Sequence, residues 1–121
     1  MRQRGVAVVM RHGEVLLVRD KGKHRFSLPG GAIKKGEPTV SAAARELYEE
    51  LGLKAIKATR RRDCDFRGSV SKHRVCLIQA SGSPCLRGHE LAEFKWWDMK
   101  EPIPVYAHVQ HILRCLKSKE S

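Results

Sequence analysis

No apolar run in the sequence approaches the about 18 residues that a membrane-crossing helix needs. The opening MRQRGVAVVM, closed at once by Arg11-His12-Gly13, is too short and too interrupted for a secretory signal. Aromatic residues make up only 6% of the chain, which leaves few platforms for stacking the bases of a single-stranded nucleic acid. No nucleic-acid-binding motif is present. Cysteine is sparse and badly spaced for metal. Cys64, Cys76, Cys85 and Cys115 include no C-x-x-C pair, which argues against zinc and against a disulfide framework. The expectation is reduced thiols in an intracellular, cytoplasmic protein. There is no internal repeat, linker or low-complexity segment, and 121 residues suit a single domain over 1–121.

Acidic residues are also in short supply, 13 against 24 Lys and Arg, giving a formal charge of +11 and a pI near 10.0. The basic residues gather in Lys21-Gly22-Lys23-His24-Arg25, Lys34-Lys35, Arg60-Arg61-Arg62 and Lys72-His73-Arg74. Such a surface attracts polyanions and speeds their encounter. Three meanings fit it: solubility with no partner, capture of a polyphosphate substrate, or RNA or DNA binding.

The hydrophobic residues are patterned as strands and two helices. Val6–Met10 and Val15–Val18 are apolar runs joined by Arg11-His12-Gly13-Glu14, a hairpin signal. Lys54–Thr59, Arg74–Ala80 and Phe94–Trp97 read as further strands. Val105, Val109, Ile112, Leu113 and Leu116 recur at helical spacing and predict an amphipathic closing helix. Strands interleaved with helices imply an α/β fold with helices on both faces of a sheet.

Three acids crowd a single helical turn within Gly31–Leu53, GAIKKGEPTVSAAARELYEELGL. At about 100° per residue, Glu46, Glu49 and Glu50 fall within an arc of roughly 100° on one helix face. Val40, Ala44, Leu47 and Leu51 gather elsewhere on the wheel and would dock the helix on a core. Crowded like charges destabilise an isolated helix, and hard divalent cations favour carboxylate oxygen. The acids therefore point to a cation. Gly30, Gly31 and Gly36 mark a turn-rich loop, and Pro38 suits a first helical position. Glu37 can serve as a weak cap, and Gly52 suits a left-handed C-terminal position.

This segment resembles, without a mismatch, the signature of the Nudix hydrolases, G-x5-E-x7-R-E-U-x-E-E-x-G-U, where U is a bulky aliphatic. Gly31, Glu37, Arg45, Glu46, Leu47, Glu49, Glu50, Gly52 and Leu53 fill the specified positions. The resemblance implies a Nudix fold, a mixed sheet sandwiched between helices (α/β/α). It implies hydrolysis of a nucleoside diphosphate linked to another group, with Mg2+ or Mn2+. Glu46, Glu49 and Glu50 match the metal-ligand carboxylates, and the carbonyl of Gly30 is a frequent extra ligand in relatives. Arg45 matches the arginine that orients the glutamates, and Glu37 more often supports the loop. The segment around Arg87–Trp96 is similar to the family's later element, making Glu90 the first candidate for the general base. Glu93 is the second, and His89 could be a proton carrier.

Substrate residues are less defined. Arg19 aligns loosely with a phosphate-contacting arginine of MutT-like relatives. Lys72 and His73 can reach phosphate from the start of a central strand. Trp96 and Trp97 point to opposite faces of an extended strand, and Trp97 is assigned here to the substrate side. Phe26 reads first as core. The proline of ADP-ribose pyrophosphatases, the tyrosine of dinucleoside polyphosphate hydrolases and the coenzyme A signature are absent. A nucleoside triphosphate or related nucleotide is the expected substrate. Dinucleoside polyphosphates, ADP-ribose and RNA 5′ ends are alternatives, as is a non-catalytic nucleotide- or RNA-binding module on the same scaffold. Many relatives are homodimers, so a homodimer is an expectation.

Overall fold

The computed structural model describes residues 1–120; Ser121, the last residue of the expected domain, lies outside the described residues. The apolar runs near the N-terminus contain no polar position because both of their faces are covered. In β1 (Arg2–Val8) and the residue after it, Val6 and Val8 pack into one hydrophobic cluster while Ala7 and Val9 pack into another. In β3 (Glu14–Asp20), Val15 and Leu17 join the first cluster, and Leu16 and Val18 the second. The first cluster is closed by Val109, Ile112 and Leu116 of the C-terminal helix, the second by Ala43, Leu47 and Leu51 of the acid-rich helix. The period-two alternation of side chains thus builds a layer of strands between two helices.

Those strands divide between two sheets. Residues Val6–Met10 do not form one strand: the chain leaves β1 after Val8 and enters β2 (Met10–Arg11), which pairs with β3. The β2–β3 turn places His12 at φ 51° and Gly13 at φ 78°, the two left-handed residues of a tight hairpin whose twist matches its strands. β3 also pairs antiparallel with β8 (Leu91–Trp97), completing a three-stranded sheet. The other sheet is mixed. β1 lies parallel to β7 (Ser71–Ser81) and antiparallel to β4 (Gly30–Ala32), while β5 (Lys54–Arg60) and β6 (Phe66–Arg67) pair antiparallel with β7. Gly30 and Gly31, expected in a loop, are therefore strand residues paired with Val6 and Gly5.

Helix α1 spans Thr39–Leu51. Pro38 is its cap and not its first residue: at ψ 146° it is extended, and its carbonyl accepts the first helical bond from Ala42 N–H at 3.0 Å. Proline's fixed φ is compatible with either position. Gly52, at φ 71°, closes the helix by donating its N–H to Tyr48 O. Full burial of Leu47 and Leu51 contributes roughly 1.5–3 kcal/mol each.

Helix α2 spans Ala107–Glu120, two residues later than the apolar spacing predicts, because Val105 bridges to Phe26. The expectation of four reduced thiols is corrected here. Cys64 and Cys115, 51 residues apart, form a disulfide that ties a short 3-10 turn (Arg62–Cys64) to α2. Cys76 and Cys85 remain free. Partners that distant are brought together only by the docking of α2, so spacing could not reveal them. Among the described residues no helix is long and apolar enough to cross a membrane.

Candidate active site

A cleft of about 740 Å³ opens where β1 and β4 meet α1, the end of β3 and the start of α2. Four carboxylates line it: Asp20, Glu46, Glu50 and Glu90. Three guanidinium groups line it as well, from Arg2, Arg4 and Arg25. Phe66, Tyr106, His73 and His108 complete the parts of its wall that bear rings.

Glu50 is the most telling of these residues. Its Oε1 is buried and has no hydrogen-bond partner, an arrangement that costs free energy unless something else satisfies the oxygen. Burial pushes its carboxyl up to about 8, and the nearby Glu46 and Asp20 push the same way. Arg4 and the Gly30 backbone N–H oppose that shift. Glu46 comes so close to β4 that a Cβ on Gly31 would sit 2.4 Å from its carboxyl carbon. Glycine at 31 is thus a matter of space for the carboxylate.

The three acids of this helix face do not share one environment, since Glu46 and Glu50 line the cleft. Only Glu49 stands in solvent, its side chain 54% exposed, and it is outside the cleft lining. Arg45 explains the arrangement. Its Nε and Nη2 donate to the two oxygens of Glu37 at 2.8 and 3.0 Å, a bidentate pair. Nη1 donates to Glu46 at 3.0 Å and to Glu49 at 3.4 Å, and Nη2 also reaches the Ala32 carbonyl. Glu37 does not cap the helix, because its carboxylate is committed to Arg45 and to Lys34 N–H. Those bonds, Arg45 first, hold its carboxyl down at about 2.

The remaining expected residues separate. Gly30 and Glu90 line the cleft, Glu90 on an exposed loop before β8. His73 lines it too, buried, with Arg4 Nη1 at 3.2 Å from its Nδ1 and its ring stacked on His108 at 4.0 Å. Burial, then Arg4, lowers His73 to about 4; burial, then His73 and Arg4, lowers His108 to about 3. His108 is thereby kept neutral, and its Nε2 accepts the Leu28 N–H. Arg19 is not in the cleft: it is bonded to Glu93 at 2.8 Å and to the Lys23 carbonyl. Lys72 projects to the other face of β7, into a separate groove. The assignment of Trp97 to the substrate side is corrected. Trp97 is buried in the cluster under α2, with its Nε1 donating to Glu101 O. Trp96 packs half-buried on the other cluster. Sequence reading missed Asp20, Arg2, Arg4, Arg25, Tyr106 and His108. The one signal for Arg2 and Arg4 was their alternation in phase with Val6 and Val8.

A divalent cation fits this donor set. The partnerless Glu50 oxygen, Glu46 beside it and backbone carbonyls nearby are hard oxygen ligands. Among the described residues the cleft carboxylates do not converge as three oxygens within 4.8 Å; the only such group is Asp63, Cys64 and Cys115, whose sulfurs are bonded to each other. Magnesium commonly uses one or two carboxylates and keeps its remaining sites for water and phosphate.

Comparison with known proteins decides the family. The NUDIX domain family matches residues 1–116. The chain belongs to the NUDIX family. Its members are hydrolases of phosphorus anhydrides that generally use divalent metal ions. The NUDIX signature occupies β4, α1 and the residues that enter β5, so the matched motif is the floor of the cleft. The fold is similar to that of a MutT NUDIX hydrolase from Burkholderia pseudomallei, with a TM-score of 0.83, 26% identity and coverage of 95% of this chain and 97% of that one. An RNA pyrophosphohydrolase of Tolumonas auensis is 42% identical over 55 residues, 46% of this chain and 32% of the relative. One of Aeromonas hydrophila is 39% identical over 67 residues, covering 52% and 38%. The matched stretch spans about a third of the length of these relatives.

Proposed function

We propose that this NUDIX chain is a pyrophosphohydrolase, dependent on Mg2+ or Mn2+, that cleaves the diphosphate linkage of a nucleotide. The observation that carries the proposal is the partnerless, buried Glu50 oxygen beside Glu46 in a cleft shared with three arginines. Glu46, Glu50 and the Gly30 carbonyl would hold the ion, and Glu49, outside the lining, would join through water. When bound, such an ion neutralises phosphate oxygens and lowers the pKa of attacking water.

The chain's own side chains supply the rest. Arg2, Arg4 and Arg25 bind the phosphates and fix their position, as planar guanidinium groups do well. Arg45, anchored on Glu37, positions Glu46 and Glu49 and touches no substrate. Glu90, on its exposed loop at the cleft, takes the proton from the attacking water. Phe66 and Tyr106 offer apolar surface to the nucleoside.

The test is a panel of nucleoside triphosphates, dinucleoside polyphosphates, ADP-ribose and 5′-triphosphorylated RNA, each with Mg2+ or Mn2+. Glu50→Gln and Glu90→Gln should each lower kcat on the order of 10²–10⁴-fold. Full activity of Glu90→Gln would remove that residue as base. No turnover of any substrate, together with RNA binding that survives Glu50→Gln, would replace the enzyme with a binding module.

A further inference from the structure

A second groove, of about 530 Å³, is lined by Arg60, Arg62, Asp65, Arg67, Lys72 and Arg74. The single acid among these five cations is already committed. Asp65 receives both terminal nitrogens of Arg60 at 2.7 and 2.8 Å and accepts the Val75 N–H at 2.9 Å. Arg74 is turned to Gln3 at 2.8 Å. Among the described residues, Arg62, Arg67 and Lys72 make no side-chain hydrogen bond or ion pair, so their charge faces outward.

The groove and the cleft are the two faces of one sheet edge. Successive strand residues point to opposite faces, and on β7 Ser71 and His73 line the cleft while Lys72 and Arg74 line the groove. On β6 Phe66 faces the cleft and Arg67 the groove. Between them the turn at Gly68, Ser69 and Val70 forms part of the cleft wall and leaves Val70 exposed. A nucleotide held in the cleft lies on the opposite face of the sheet from the groove. A chain of nucleotides leaving the cleft over this turn would deliver successive phosphates to it.

We propose that the groove binds the phosphate backbone of a single-stranded nucleic acid whose 5′ end occupies the cleft. This rests on the hydrolase reading and narrows its substrate to the 5′ phosphates of a strand. The groove has no aromatic or apolar lining, which disfavours a membrane or a peptide anchored by side chains. Its place across a single turn from the cleft favours phosphates joined covalently to a nucleotide held there.

The test uses the full chain and the variant Arg62→Ala/Arg67→Ala. Anisotropy with a 5′-hydroxyl RNA oligonucleotide, which the cleft cannot hydrolyse, reads the groove directly. The variant should weaken binding by roughly tenfold and reduce the slope of log affinity against log salt by about 1.4, at about 0.7 per single-strand phosphate contact. In kinetics it should raise KM for a 5′-triphosphorylated oligonucleotide by a similar factor, leave its kcat unchanged and leave nucleoside triphosphate hydrolysis unaltered. Unchanged oligonucleotide affinity, or equal losses on both substrates, would overturn the proposal. So would inorganic polyphosphate bound as tightly as the oligonucleotide. Absence of turnover on both substrates would sink the hydrolase reading, while the anisotropy measurement would still decide the groove.

Discussion

Adding one methyl group at Gly31 would place a carbon 2.4 Å from the carboxyl carbon of Glu46 and 2.6 Å from one of its oxygens. Either β4 or Glu46 would have to move, and displacements near 1 Å in a catalytic constellation can cost on the order of 10²-fold. Gly31→Ala should therefore lower kcat/KM by about that factor while circular dichroism shows the fold retained; wild-type activity in a folded variant would mean that Glu46 has no fixed place in the reaction. Glu50 poses the complementary question, because its buried oxygen lacks a partner. A cation bound there stabilises the folded state by mass action, about 2.7 kcal/mol at a hundredfold excess over Kd. Mn2+ should raise the thermal midpoint of the wild type, and chelation should reverse the rise. Glu50→Gln should lose most of this response. An equal shift in both proteins would place the ion elsewhere.

Helix α2 depends on contacts that its own sequence does not announce. Its apolar spacing was readable because Val109, Ile112 and Leu116 all face one core. Its tether to the 3-10 turn was not, since the Cys64–Cys115 bond is a long-range pairing. Denatured, unreduced protein should expose two thiols per chain, from Cys76 and Cys85. Closing a loop of 51 residues contributes about 4 kcal/mol on the chain-entropy estimate. Reduction should lower the urea midpoint accordingly, and four titratable thiols before reduction would refute the bond. The other end of α2 docks through His108, stacked on His73 and close to Arg4. Both imidazoles are held neutral, at about 3 and about 4 against an ordinary 6.5. Below 6.5 the unfolded chain binds protons that the folded chain refuses, so stability is present above this window and is lost as pH falls through it. Urea midpoints should fall steadily from about pH 6.5 toward about pH 4, and His108→Gln should flatten that dependence.

At the scale of the whole molecule, patterning and charge were legible to different depths. Val6–Val9 and Val15–Val18 announced burial on both faces, and with it a layer of strands between helices. Nothing in those runs says which strands pair, so the division into two sheets at Val9 could not be read. The signature marks Glu46 and Glu50, which line the cleft, and Arg45, which donates to Glu46. The cationic part of the cleft was hidden because Arg2 and Arg4 of β1 meet Arg25, from the loop after β3, only through tertiary packing. The basic character itself was plain in the net charge of +11, and the fold divides part of it between the cleft and the groove behind β7. A field of that sign raises the encounter rate of a polyphosphate without altering its chemistry. Encounter between exposed charges is screened once the Debye length shrinks from about 30 Å at 0.01 M to about 8 Å at 0.15 M salt. Over that range kcat/KM for a nucleoside triphosphate should fall several-fold while kcat holds. For an RNA strand the fall should be steeper, because groove phosphates add counterion release to steering. Stopped-flow or initial-rate measurements at constant metal concentration would separate the two. If kcat/KM proves independent of salt for both substrates, the excess charge does not serve capture, and solubility is the meaning left to it.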